Sequence, residues 1–225
     1  MAMDRPRICA VITDNNLTMI RTAERFADLL EVRIDLIGDN WEGLVGQLSK
    51  PWIACNRASA EGGHWEKGEA RRIDELLKAI ELGADIIDIE LGTSGLAEIV
   101  PRVKKKARCL LSTHYLTGTP SFDHLRELVR NQLEAGADIC KVVTIAQRFE
   151  DNATVLRLIP EFPRTRVVSF AMGALGLISR ILCPLAGGYF TYASIEAGKE
   201  SAPGQLTLSN LSEIYGAVTG RKRRT

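Results

Sequence analysis

The sequence predicts a single-domain α/β protein, a (β/α)8 TIM barrel, on two observations. Eight short β-branched runs alternate with eight amphipathic helical stretches along 225 residues, close to the roughly 250 usual for that fold. Several of the runs carry ionisable residues at every second position, whereas parallel strands covered on both faces are otherwise almost wholly apolar. An open doubly wound sheet is the alternative, but the chain holds neither G-x-G-x-x-G nor G-x-x-x-x-G-K-[ST].

The strand runs fall at 8–13, 31–36, 52–56, 85–90, 109–114, 138–143, 167–171 and 189–193. Helical periodicity fills the gaps between them. After the third run, Ile73, Leu76, Leu77 and Ile80 follow the i, i+3, i+4, i+7 rule for one buried face, and Gly83 supplies a stop. After the fifth, Phe122, Leu125, Leu128 and Val129 do the same before Gly136. Gly83-Ala84-Asp85 and Gly136-Ala137-Asp138 each close a helix and open a strand, a faint internal repeat two βα units apart. One barrel domain is expected over 1–220. The remaining 221–225, with Arg221-Lys222-Arg223-Arg224, reads as a disordered, solvated basic tail.

A net charge of +1 and average apolar and charged fractions point neither to nucleic acid nor to a membrane. Cys9, Cys55, Cys109, Cys140 and Cys183 are odd in number and widely spaced, so they suggest neither a disulfide framework nor zinc. Residues 1–5 lead into no apolar signal region, and no run of about 18 apolar residues occurs. The expectation is an unprocessed, soluble, cytoplasmic protein.

Candidate chemistry lies on one strand parity. Glu31, Arg33 and Asp35 alternate with Val32, Ile34 and Leu36; Asp88 and Glu90 repeat the arrangement; Ser112 and His114 share a face. Lys141 sits inside the apolar run Ile139-Cys140-Lys141-Val142-Val143 and points inward with Ile139 and Val143, Cys140 facing the helices. A buried ammonium costs several kcal/mol unless it is paired or loses its proton. Lys141 is therefore either a neutral nucleophile towards carbonyl carbon or an ion-paired lysine near a strand end. The charges as a set imply a polar lumen, with a structural ion-pair network in the barrel floor as the alternative. Arg57, His114 and Lys141 lie at or near carboxyl ends of strands, where this fold places its catalytic groups. Arg57-Ala58-Ser59-Ala60-Glu61-Gly62-Gly63 joins a guanidinium, a carboxylate and a flexible Gly pair, and 196–205 is a polar loop suited to a lid.

These residues resemble the type I 3-dehydroquinate dehydratases of the shikimate pathway, over nearly the whole chain. The resemblance rests on Glu31-Val32-Arg33-Ile34-Asp35, Asn56-Arg57 with Glu61-Gly62-Gly63, Asp88-Ile89-Glu90, Ser112-Thr113-His114 and Lys141. It continues through Ser169-Phe170-Ala171-Met172-Gly173 with Ile178-Ser179-Arg180, and Ser201-Ala202-Pro203-Gly204-Gln205. It implies a dimeric barrel that needs no metal or organic cofactor and acts on a small molecule. Water is lost in a syn elimination that takes 3-dehydroquinate to 3-dehydroshikimate through an imine on Lys141. His114 would be the general acid and base, and Glu61 would orient its imidazole. Arg180 would clamp the substrate carboxylate, Glu31, Arg33 and Arg57 would bind ring hydroxyls, and Ser201 and Gln205 would add contacts from the lid.

Two departures accompany the resemblance. The first strand begins close to residue 1, leaving little room for a hairpin under the barrel, and the segment 189–201 leaves open which aromatic, Tyr192 among them, lines the substrate wall. A class I aldolase or transaldolase shares barrel and lysine but usually carries Gly-rich phosphate loops after the seventh and eighth strands. A partner-binding barrel without activity is the non-enzymatic alternative. His64 and His124 are expected to be solvated and without a role, and Trp41, Trp52 and Trp65 to serve packing or an interface.

Overall fold

The β-branched runs form eight parallel strands that follow chain order around a ring, with β8 beside β1. The computed structural model describes residues 5–220; the basic segment 221–225 lies outside the described residues. The strands are β1 (Ile8–Ile12), β2 (Leu29–Arg33), β3 (Trp52–Cys55), β4 (Ile86–Glu90), β5 (Arg108–His114), β6 (Ile139–Ile145), β7 (Arg166–Met172) and β8 (Thr191–Ser194). This is the (β/α)8 barrel, and no helix among the described residues is long and apolar enough to cross a membrane.

Helices fill the gaps as the periodicity predicts, with two additions. They are α1 (Leu17–Glu24), α2 (Ile34–Ile37), α3 (Trp41–Val45), α4 (Glu69–Glu81), α5 (Leu96–Val103) and α6 (Phe122–Glu134), then α7 (Asp151–Leu156), α8 (Leu158–Glu161), α9 (Leu177–Leu185) and α10 (Leu208–Thr219). The second and sixth gaps each hold two short helices instead of one. Gly83 and Gly136 take positive φ after α4 and α6, which is the glycine stop the sequence suggests. Trp41 is buried, donates Nε1–H to Glu75 Oε2 at 3.0 Å and packs on Trp52, so both are packing residues.

The second strand departs from expectation by ending at Arg33, not at 36. Arg33 grips Asp35 with Nε and Nη2 at 2.9 and 2.8 Å, and the Asp35 carboxylate accepts the Arg57 and His64 backbone N–H groups. These contacts curl residues 34–37 into α2, because a carboxylate collecting four donors holds its own backbone off the strand path. The eighth strand starts at Thr191, two residues later than expected.

Two apolar layers sandwich the strands. Outward-facing residues such as Val32, Ala54, Ile87, Leu111 and Val142 pack under the helices. Inward-facing Cys9, Leu29, Ile53, Ile86, Leu110, Ile139, Val168, Phe190 and Tyr192 fill the lower lumen. Below them Tyr189 receives Arg108 Nη1–H at 2.8 Å and lies against Arg7, so side chains cover the floor. The charged residues stand above this apolar plug. Strand register sets Glu90, Ser112, Lys141 and Val168 side by side across β4 to β7.

Between β7 and β8 there is no ladder. Tyr189 N–H donates to the Val167 carbonyl at 2.8 Å at the bottom, and Gly173 N–H to the Pro203 carbonyl at 3.1 Å at the top. The upper seam is thus closed by residues of the polar loop.

Truncation in the lower plug tests the packing. Leu110→Ala removes buried volume from a fully enclosed site, so unfolding free energy in urea should fall by about 2–5 kcal/mol with native circular dichroism retained.

Candidate active site

All nine residues singled out by the sequence line one cavity of about 670 Å³ at the carboxyl ends of the strands. Alternation along β6 explains why Lys141 interrupts an apolar run. Its neighbours Cys140 and Val142 face the helices, while Lys141 points into the lumen. There its Nζ lies 2.9 Å from Asp88 Oδ2, 3.6 Å from Glu31 Oε1 and 4.4 Å from the centre of the Tyr192 ring. Burial works to lower its proton affinity, but the Asp88 and Glu31 carboxylates outweigh that and hold it above the ordinary value. Of the two readings open at the sequence level, the resting side chain is the ion-paired one.

Asp88 is the hub of this arrangement. Its Oδ1 accepts from Ser112 Oγ at 2.6 Å, and its Oδ2 is shared by Lys141 and by Arg57 Nη2 at 2.6 Å. Burial pushes its pKa up, yet the two cations and the hydrogen bonds hold the carboxyl well below the usual range. Arg57 also gives Nη1–H groups to Glu90 Oε1 and Ser112 Oγ, at 2.8 and 2.6 Å, and Nη2–H to Cys55 Sγ at 3.3 Å. Its four terminal N–H bonds are all committed within the protein. Arg57 is thereby placed to order the carboxylates around Lys141, and it lines the cavity as well.

His114, at the end of β5, makes a 2.8 Å contact through Nδ1 with Glu61 Oε2, which also accepts the His114 backbone N–H at 3.0 Å. With Glu61 ionised, its Oε2 accepts both N–H groups of His114, which puts the proton on Nδ1 and the lone pair on Nε2. Burial, reinforced by the positive charges of Arg57 and Lys141, holds the imidazole well below its ordinary pKa, so it is neutral near pH 7. Glu61 is pushed up to about 7, chiefly by burial. Its short loop is held by Glu61 and Gly63 N–H groups that both donate to the Ala58 carbonyl. A Cβ on Gly63 would sit 1.9 Å from the Arg57 carbonyl oxygen, so only glycine fits there.

Arg180, from α9, is 2% exposed. It reaches the Pro203 carbonyl at 3.4 Å and stacks on Phe170 at 4.4 Å, while its buried Nε has no hydrogen-bond partner. No carboxylate among the described residues pairs with it, and burial lowers its pKa to about 10. Glu31 Oε1 is likewise buried and without a hydrogen bond. The site thus holds a guanidinium without a carboxylate partner and a carboxylate oxygen that has an ion-pair neighbour in Lys141 but no hydrogen bond. Over it lies the polar loop, where Gln205 Oε1 accepts the Ser201 N–H and hydroxyl at 2.8 and 3.2 Å. Gly204 has φ +74°, and a Cβ there would meet the Gly173 carbonyl at 2.5 Å.

Glu31, Cys55 and Asp88 bring three donor atoms within 4.8 Å of one another. They do not suit a metal, because Lys141 and Arg57 already neutralise Asp88 and burial keeps the Cys55 thiol protonated. His64 and His124 do not line the cavity. His124 Nε2 instead contacts the Tyr115 hydroxyl at 2.6 Å. Sequence reasoning noted Asp88 without giving it a role and left Tyr192 open. The signal for Asp88 was its position on the same parity as Glu90; Tyr192 carried none beyond its strand.

A model of the type I 3-dehydroquinase family matches residues 8–222. The chain is 45% identical over 216 residues to the 3-dehydroquinate dehydratase of Dehalococcoides mccartyi strain CBDB1, covering 96% of this chain and 97% of that protein. It is 35% identical over 212 residues to the 3-dehydroquinate dehydratase of Methanocaldococcus jannaschii, covering 91% and 95%. Among solved structures, the 3-dehydroquinate dehydratase of Geobacillus kaustophilus superposes with a TM-score of 0.83 at 26% identity, over 97% of this chain and 93% of that one.

The raised Glu61 gives a pH test with a definite sign. A carboxyl whose folded pKa lies near 7, above its ordinary 4.5, contributes stability that is complete below 4.5 and lost as pH rises through 7. Between pH 4.5 and 7.5, Glu61→Gln should gain stability relative to the parent protein in paired urea titrations.

Proposed function

The chain belongs to the type I 3-dehydroquinase family, and from that premise we propose that it dehydrates 3-dehydroquinate to 3-dehydroshikimate through an imine on Lys141. One observation carries this reading: a lysine amine, a neutral imidazole and an unpaired guanidinium all border one cavity. Arg180 is the anion receptor. A buried cation without a partner is costly to the folded protein, and a bidentate substrate carboxylate would relieve that cost while fixing the ring. Glu31 Oε1 stands ready to accept a ring hydroxyl, with Arg33, Ser201 and Gln205 at the cavity edge.

Lys141 passes a proton to His114 Nε2 and its free amine attacks the C3 ketone, giving a carbinolamine whose hydroxyl takes that proton from His114 as it leaves. Loss of water from it leaves an iminium whose nitrogen draws electrons from the ring. His114 Nε2 takes the C2 proton, and the pair left at C2 forms the enamine. The enamine then expels the C1 hydroxyl, which departs as water with the proton from His114. Hydrolysis of the conjugated iminium returns Lys141 and releases 3-dehydroshikimate, so the net change is loss of one water. Glu61 keeps the imidazole in its working tautomer throughout. Asp88 stabilises the cationic nitrogen in each state, and the Tyr192 ring lies under the same charge. The iminium is itself the electron sink, so the reaction requires no metal or organic cofactor.

The protein acts in this reading as a cytoplasmic homodimer on a small molecule, with no nucleic-acid partner. Five free, buried cysteines agree with a reducing compartment. From 174 to 188 the one charged side chain is Arg180, which is buried, while Leu175, in the turn before α9, and Leu182, on α9, are 48% and 37% exposed. Phe149 is 66% exposed, and Asn152 Nδ2 donates to both the Phe149 and the Leu175 carbonyls, which brings those two segments together. A helix apolar all round calls for cover, and a second copy supplies it.

Borohydride reduction with 3-dehydroquinate, followed by peptide mass spectrometry, should yield a reduced adduct on Lys141 that is absent from Lys141→Ala. No adduct on folded protein refutes the imine. Sedimentation should find a dimer, and Leu175→Glu with Leu182→Glu should convert it to monomer; a monomeric parent protein sinks the interface.

A further inference from the structure

Arg72 lies on α4, outside the cavity, and none of the steps above uses it. It is 1% exposed. Its Nη1 donates to Glu90 Oε2 at 2.6 Å and to the Asn56 carbonyl at 2.9 Å, and its Nη2 to Thr93 Oγ1 at 3.0 Å. Nε and Nη2 also take both oxygens of the half-exposed Glu69, at 2.8 and 2.7 Å. The other oxygen of Glu90 accepts from Arg57 Nη1 at 2.8 Å and from the Ala58 N–H at 2.9 Å. Arg57 then meets the very Asp88 oxygen that holds Lys141. Charge alternates without a break from the surface to the reactive amine: Glu69, Arg72, Glu90, Arg57, Asp88, Lys141.

We propose that Arg72 is a positioning residue for imine formation: by sharing Glu90 it leaves Arg57 free to sit on Asp88, and so weakens the hold of Asp88 on the Lys141 proton. The inference rests on reading Lys141 as the imine-forming lysine. The physical reason is competition for cations in a dry site. Glu90 divides its charge between two guanidinium groups. Without Arg72 it has one, and both its oxygens draw Arg57 away from Asp88. The Asp88 charge then falls on Lys141, and the loss of one positive charge from the chain acts in the same direction. Both effects favour the ammonium, which cannot attack a carbonyl.

The other groups facing Lys141 make no contact with Arg72. They are Cys9 on β1, Glu31 and Arg33 on β2, Cys55 at the end of β3, His114 on β5 and Tyr192 on β8, with Arg180 across the cavity. The strand β7 presents Val168 and Phe170, which do not titrate. Cys55 and Glu61 contact Arg57 and His114 feels its charge, so these groups respond to a change at Arg72 through Arg57, and a shifted pH dependence of the amine reports the route through Glu90 and Arg57.

The test is the rate of borohydride trapping with 3-dehydroquinate as a function of pH. In Arg72→Met the midpoint should rise by about one pH unit, which is roughly tenfold slower trapping at a fixed pH below it, with full trapping recovered at high pH. Arg72→Lys should restore much of the shift. Glu90→Gln removes the competing negative charge and should move the midpoint the opposite way, and it carries the test if Arg72→Met does not fold. A midpoint unchanged in the folded variants, with trapping lowered equally at every pH, would show Arg72 and Glu90 to be structural only. Absence of trapping in the parent protein would instead overturn the imine reading itself.

Discussion

The barrel mouth is organised by one carboxylate, Asp88, which binds two cations through a single oxygen in a site closed to water. A buried ion is tolerated when partners of opposite charge and hydrogen bonds replace its hydration, and removing one partner exposes the full desolvation cost of the other. Asp88, Arg57, Glu90, Arg72 and Lys141 are therefore stable only as a set. Three strands and α4 must be in register for any of them to be buried. The same set places an amine beside a carboxylate that stabilises positive nitrogen, which is the charge state an imine mechanism returns to at each step.

The lid and the barrel wall are one structural problem. With no ladder between β7 and β8, the upper end of that seam is closed by Pro203, whose carbonyl accepts the Gly173 N–H and approaches Arg180. Gly204 packs so closely on the Gly173 carbonyl that no side chain fits. Loop residues thus complete the wall that carries Arg180, and the position of the polar loop is coupled to the surroundings of that guanidinium. Arg180 Nε is left without a hydrogen bond there, and Glu31 Oε1, 3.6 Å from Lys141 Nζ, also lacks one, whereas the Asp88 oxygens are fully engaged. The unmatched groups mark where ligand atoms belong.

Much of this was readable from residues alone. Alternation of Glu31 with Val32 and of Lys141 with Cys140 and Val142 assigned lumen and outer faces, because a strand turns successive side chains to opposite sides. Periodicity and glycine stops located α4 and α6. The end of β2 was not readable, since Arg33 and Asp35 continue a strand-like alternation. Only their bidentate contact, together with backbone N–H groups arriving from beyond β3, folds residues 34–37 into a helical turn.

Local pattern in the chain was sufficient for the barrel and for the inward direction of the charged residues that line its cavity, because each depends on periods of two or 3.6 residues or on residue type. The charge state of Lys141, the commitment of the four terminal Arg57 N–H bonds within the protein and the involvement of Arg72 depended on the assembled barrel. Each is set by groups many residues apart in sequence, brought within 3 Å by register and helix packing. Electrostatic energy in a dry site follows those distances, and no local period encodes them.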